Sequence, residues 1–185
     1  MAYFDNAATT FPKPETVYQS MDQFQRQTGG SFGRGNYEFS NSAKGMVDDT
    51  RKAIKQLLHC PAKQVVFEPS ATISLNIIIQ GIIQKGARNV YISPFEHNAV
   101  TRTLHHYKKR GQIKVEELAV DQKLNYDIQR IRFQFETTPP DFVIVSHASN
   151  VIGLVAPVEE IFSLAKEFHA ITLLDMAQTA GLVDL

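Results

Sequence analysis

Residues 141–181 run DFVIVSHASNVIGLVAPVEEIFSLAKEFHAITLLDMAQTAG and read as strand, loop, helix, strand, turn. Phe142-Val143-Ile144-Val145 is an apolar run between Pro139-Pro140 and the polar loop that begins at Ser146-His147. Pro157-Val158-Glu159-Glu160 opens a helix. Proline there lacks only a donor that the first turn leaves unpaired, and acids there face the positive end of the helix dipole. Ile161, Leu164, Ala165 and Phe168 recur at helical spacing and form one apolar face. Ile171 to Leu174 is a second short apolar run, closed by Asp175. Two buried parallel strands joined by a crossover helix explain this order. Ligands of parallel sheets lie beyond the carboxyl ends of the strands, which brings Ser149-Asn150 and the segment from Asp175 to Gln178 to one edge. A carboxylate at the end of a buried strand is costly unless paired. Asp175 therefore either caps the element that follows or holds a ligand group.

The same alternation extends upstream. Gln64–Phe67, Asn89–Ser93 and Ile113–Glu116 are short apolar segments that predict strands. Helices are predicted from Pro14, with Val17, Tyr18, Met21 and Phe24 on one face, and from Ser40-Asn41-Ser42, whose hydroxyl and amide groups are candidate caps. Further helices are predicted from Ala71 to about Ile83, from Ala99 to Gly111, and around Ile128, Ile131 and Phe135. Gly29 to Asn36 is a glycine-rich loop with one Arg; it reads as a flexible connection or, less simply, as an anion cradle without the nucleotide-loop pattern. The class is α/β: a mostly parallel sheet with flanking helices.

Polar residues cluster after the strands. Ser70-Ala71-Thr72 makes the turn into a helix, where free backbone donors either take a simple cap or receive a phosphate. His97 lies in the loop Pro94-Phe95-Glu96-His97-Asn98. With Asn150 and Asp175, these groups suit a ligand that has a phosphate and a ring.

Composition narrows the function classes. Formal net charge is +0 over 185 residues, so no global field draws in nucleic acid or acidic lipid. Lys108-Lys109-Arg110 is a short basic run at a helix end, where it complements the dipole. The single cysteine, Cys60, excludes a disulfide framework and a cysteine-based zinc site within these residues, and no His/Cys/Asp spacing resembles a metal motif. No apolar run has the length of a membrane span, and the first residues lack a basic segment with a signal-type apolar core; a cytoplasmic location is expected.

Taken in order, a set of short motifs resembles one family. Tyr3-Phe4-Asp5-Asn6-Ala7-Ala8, Arg34-Gly35 before Ser40, Val66-Phe67 followed by Ala71-Thr72 and Asn76, Glu96-His97-Asn98, Ser149-Asn150-Val151-Ile152-Gly153 and Asp175-Met176-Ala177-Gln178 are similar to segments of the class V aminotransferases. Within that family the likeness is to the cysteine desulfurases and selenocysteine lyases. The resemblance implies the large domain of the aspartate-aminotransferase (PLP type I) fold and pyridoxal 5'-phosphate as cofactor. It assigns Asp175 to the pyridine nitrogen, Gln178 and Asn150 to the phenolic-oxygen side, His97 to stacking on the ring and proton transfer, and Ala71 and Thr72 to the phosphate turn. It further implies a homodimer, L-cysteine or a related amino acid as substrate, L-alanine and an enzyme-bound persulfide as products, and a sulfur-acceptor protein as partner. Another class V aminotransferase or amino-acid lyase, or a non-catalytic binding or assembly module, are the alternatives.

Three positions depart from the family pattern. The phosphate turn has Ser70 where Gly is usual and Ile73 where Glu is usual, and Tyr37 stands where relatives often carry a His shortly after Arg-Gly. The resemblance also places the Schiff-base lysine beyond residue 185, with the catalytic cysteine loop, the substrate-carboxylate arginine and the small domain further on. Residues 1–30 are thus expected to be an N-terminal arm and helix, and residues 31–185 an incomplete cofactor-binding large domain, inactive alone.

Overall fold

The computed structural model describes residues 2–183. Met1, Asp184 and Leu185, at the outer ends of the two expected segments, lie outside the described residues. The chain forms two compact units, one ending at Phe67 and one beginning at Glu68.

The first unit holds the arm and two helices, α1 (Glu15–Gln27) and α2 (Glu38–Leu57). The arm is closed by the Tyr3 hydroxyl, which lies 3.0 Å from the Asp5 carbonyl and 3.1 Å from that of Thr9. The predicted cap at Ser40-Asn41-Ser42 is not used. Helix α2 starts earlier, after Tyr37, with no side-chain cap, and Ser40 sits buried in its first turn. Its hydroxyl faces the carbonyls of Ser31, Arg34 and Gly35 at 3.1, 3.0 and 3.3 Å. The reading of Gly29–Asn36 as a flexible connection is corrected by those contacts, since they close the loop onto the helix. Gly30 has a steric reason as well: a Cβ there would meet the Phe39 carbonyl oxygen at 2.6 Å.

Gln64–Phe67 is not a strand. A strand needs a neighbour for its backbone groups, and this segment has no ladder partner among the described residues. It is held instead by Arg51, whose Nε donates to the Val65 carbonyl at 3.3 Å and whose guanidinium lies against the rings of Phe32 and Phe67. Val66 remains 74% exposed.

The second unit is the predicted α/β sandwich. Its order is α3 (Ala71–Gln84), β1 (Asn89–Ile92), α4 (Asn98–Lys109), β2 (Lys114–Glu117), α5 (Ile128–Thr137), β3 (Phe142–Ser146), α6 (Val158–Glu167) and β4 (Ile171–Asp175). The four strands are all parallel in the order β2-β1-β3-β4. Side-chain alternation splits the core between the two faces. Val90, Ile92, Phe142 and Ile144 pack under α3 and α4 with Leu75, Ile79, Val100 and Leu104. Tyr91, Val143 and Val145 pack under α5 and α6 with Ile131, Phe135, Ile161 and Leu164. β3 is buried along its whole length, as its apolar run predicts. β4 was expected to be equally buried but is an edge of the described sheet, with Ile171 exposed.

Asp141 aligns the strand starts. Its Oδ2 accepts from the backbone N–H groups of Arg88 and Asn89, both at 2.8 Å, while its own N–H donates to the Asn89 carbonyl. Asp141→Ala leaves the backbone donors of Arg88 and Asn89 without that acceptor and is expected to cost about 1–2 kcal/mol, read from urea unfolding of the chain. No change in unfolding midpoint would contradict this account of the strand starts.

Candidate cofactor site

The helices run back against the parallel strands, so the N-termini of α3 and α4 lie at the rim where the strands end. Ser70 caps α3 by accepting from the Ile73 N–H at 3.3 Å. That bond satisfies one donor of the first turn; the N–H groups of Ala71 and Thr72 precede any intrahelical acceptor. Ser70 thus performs as a cap while the turn still presents backbone donors at the positive end of a helix of 14 residues. Both Ala71 and Thr72 are exposed.

His97 is the N-cap of α4. Its Nδ1 accepts from the Ala99 N–H at 3.1 Å, a tautomer that places the ring proton on Nε2. Thr72 and His97 line one cavity of about 560 Å³ between α3 and α4, together with Asn76, Gln80, Arg102 and His106. Asn76 braces its floor: its amide donates to the Thr72 carbonyl at 2.8 Å, and its Oδ1 accepts from the Thr103 hydroxyl at 2.7 Å. The first turn of α3 is thereby fixed to α4.

Asp175 ends β4. Its Oδ1 accepts from the Ala177 N–H at 2.9 Å, so it does cap the turn that follows. Its carbonyl accepts from the His147 N–H at 2.8 Å. The turn carrying Gln178 is tied down by the buried pair His147 Nδ1 and Thr179 Oγ1, 2.9 Å apart. Burial holds the His147 imidazole below the ordinary histidine range, which suits a neutral structural ring. Asn150, in the exposed turn after β3, and Gln178 do not line the α3–α4 cavity.

Glu96 lies in one of the matching motifs but has no role that the sequence suggests; the structure gives it specific contacts. Its oxygens accept from the Ser146 N–H at 2.5 Å and from the Ser146 hydroxyl at 2.8 Å. Ser146 is the direct ladder partner of Asp175. Burial pushes the Glu96 carboxyl up to about 7; the bonds from Ser146 pull it down, and the charge of Asp175 raises it again. An acid directly before the candidate His, in the loop after an apolar strand, was the available signal.

A parallel sheet with a strand-end carboxylate, a histidine cap and a helix start on one rim places polar groups where open α/β domains take their ligands. Comparison with known proteins makes that specific. The family model for "Aminotransferase class-V" matches residues 2–184, and the chain belongs to that family. It is 29% identical over 189 residues to "Cysteine desulfurase SufS" of Plasmodium falciparum, covering 97% of this chain and 34% of that protein. It is 27% identical over 186 residues to "Cysteine desulfurase IscS" of Dictyoglomus turgidum, covering 97% and 45%. Among solved structures, the apo cysteine desulfurase of Thermococcus onnurineus NA1 superposes with a TM-score of 0.88 at 27% identity, over 97% of this chain and 44% of that one. The chain thus spans less than half the length of these relatives. The architecture is that of the large domain of PLP type I enzymes. Among the described residues, no helix is long and apolar enough to cross a membrane.

Proposed function

We propose that this chain supplies the cofactor-holding face of a pyridoxal-phosphate-dependent cysteine desulfurase that converts L-cysteine to L-alanine and an enzyme-bound persulfide. In that reading residues 1–30 are an arm and helix, and residues 31–185 the first part of the large domain. The protein acts as a homodimer and passes sulfur to an acceptor protein in the cytoplasm. The observation that carries the reading is the rim itself. Asp175 ends β4 beside Ser146, Glu96 bridges from Ser146 to the His97 loop, and His97 shares a cavity with Thr72.

The residues fit the cofactor by chemistry. Backbone donors at the start of α3, next to Ala71 and Thr72, suit a phosphate dianion. The Asp175 carboxylate suits a protonated ring nitrogen, and the His97 ring offers a flat face and an Nε2 proton at the cavity wall. Asn150 and Gln178 are amides able to donate to a phenolic oxygen. When bound, pyridoxal 5'-phosphate supplies the electron sink that makes the α-carbon of an amino acid reactive. This chain's own part is to hold the ring nitrogen's proton at Asp175, to carry a proton at His97 Nε2 and to anchor the phosphate.

The test is titration of the 185-residue chain with pyridoxal 5'-phosphate, followed by absorbance and ligand fluorescence. Asp175→Ala is expected to weaken binding about tenfold or more, the scale of a hydrogen bond to a charged group. No saturable binding by the native chain, or equal binding by the variant, would remove the basis for this reading.

A further inference from the structure

Three adjacent strand ends meet at Glu96. The residue stands in the loop after β1 and clamps both donors of Ser146 at the end of β3, whose ladder partner is Asp175 at the end of β4. The clamp joins segments 50 residues apart. His97 is the next residue along, and its ring orientation follows from where that loop is pinned. We propose that Glu96 is a positioning residue for the cofactor site: its clamp on Ser146 fixes the loop that carries His97, and its charge beside Asp175 strengthens the rim's hold on a cationic ring. The inference rests on the assignment of Asp175 and His97 made above.

Asp175 and Tyr126 are the titratable groups coupled to Glu96, and two histidines are its neighbours along the chain or beside Ser146. Asp175 approaches from β4 and His97 adjoins it at the start of α4. His147 follows Ser146 at the end of β3. Tyr126 comes from the segment before α5, its hydroxyl 2.6 Å from the Ser93 hydroxyl. Burial first, and the Glu96 charge after it, push the Tyr126 phenol up to about 12, so it stays neutral.

A purely structural clamp and a charged one are separable. Glu96→Gln keeps the length, an acceptor for the Ser146 N–H and a donor for the Ser146 hydroxyl, but carries no charge. Glu96→Ala removes the clamp as well. Affinities of the native chain and of Glu96→Gln for pyridoxal 5'-phosphate are compared across pH; their ratio cancels the ligand's own ionisations. The ratio is expected to lie near one at about pH 5, where both side chains are neutral, and to rise to about tenfold at about pH 8.5. The ¹³C carboxyl signal of Glu96 assigns the transition to that residue. Without ligand, it is expected to titrate near 7, held there mainly by burial, and to fall slightly in Asp175→Asn. The amide signals of His97 and Asn98 are expected to move in Glu96→Ala and to stay in Glu96→Gln. If the native chain takes no pyridoxal 5'-phosphate, the functional reading fails while the ligand-free signals still decide the clamp. A flat affinity ratio, or a Glu96 midpoint near 4.5 unmoved by Asp175→Asn, overturns the inference.

Discussion

Phe142→Ala is expected to destabilise the chain by about 3–5 kcal/mol, the usual cost of removing a fully buried aromatic ring and leaving its cavity. Phe142 opens β3, one of the two inner strands of the described sheet, and is 0% exposed. Its ring belongs to the cluster beneath α3 and α4, the two helices whose first turns carry Thr72 and His97. Domain stability is typically only about 5–15 kcal/mol, so the loss takes a large share of it. The matched control is Phe133→Ala on α5. That ring is 69% exposed, and its removal is expected to change stability by less than about 0.5 kcal/mol. Urea unfolding of both variants checks the pair. Similar losses for the two phenylalanines would mean that the described core does not carry the fold.

Glu96→Gln is expected to reverse part of the pH dependence of stability. The folded Glu96 carboxyl sits near 7, above the ordinary value of 4.5. Below about pH 4.5 the group is protonated in both folded and unfolded chains and costs nothing. As pH rises toward 7 the unfolded chain releases that proton and the folded one retains it, so stability falls. Above the folded value the full loss is in place. Its size is about 3 kcal/mol by linkage. The glutamine variant has no proton to release. Its stability relative to the native chain should therefore be higher at about pH 8 than at about pH 4, by that same amount. Urea midpoints at both values for both proteins give the comparison. A difference below about 1 kcal/mol would show that Glu96 is solvated in the folded chain, and would take the charged clamp with it.

Much of the architecture was legible along the chain because periodicity is a local property. Phe142 to Val145 and Asn89 to Ile92 are short apolar runs, and runs of that kind become the inner strands β3 and β1. Ile161, Leu164 and Ala165 recur at helical spacing and bury one face of α6. The positions of Asp175, His97 and Thr72 were legible for a related reason. Each is a polar residue placed where an apolar run stops or a helix starts, and in a parallel sheet those places share a rim. The motif likeness then attached a cofactor to that rim, and the family match bears out the likeness.

What stayed hidden depends on neighbours distant in sequence. Gln64–Phe67 has strand-like residues but no ladder partner among the described residues, so propensity had nothing to pair with. Ser40 has the chemistry of a cap, yet turns to three loop carbonyls, because the helix begins two residues before it. Glu96 reads locally as one more loop acid. Its raised carboxyl, its clamp on Ser146 and its place beside Asp175 arise only when the ends of β1, β3 and β4 are packed together. Periodicity and strand-end chemistry act within a few residues and can be read from the chain. Burial, charge coupling and strand partnership are sums over the folded neighbourhood, and no local pattern encodes them.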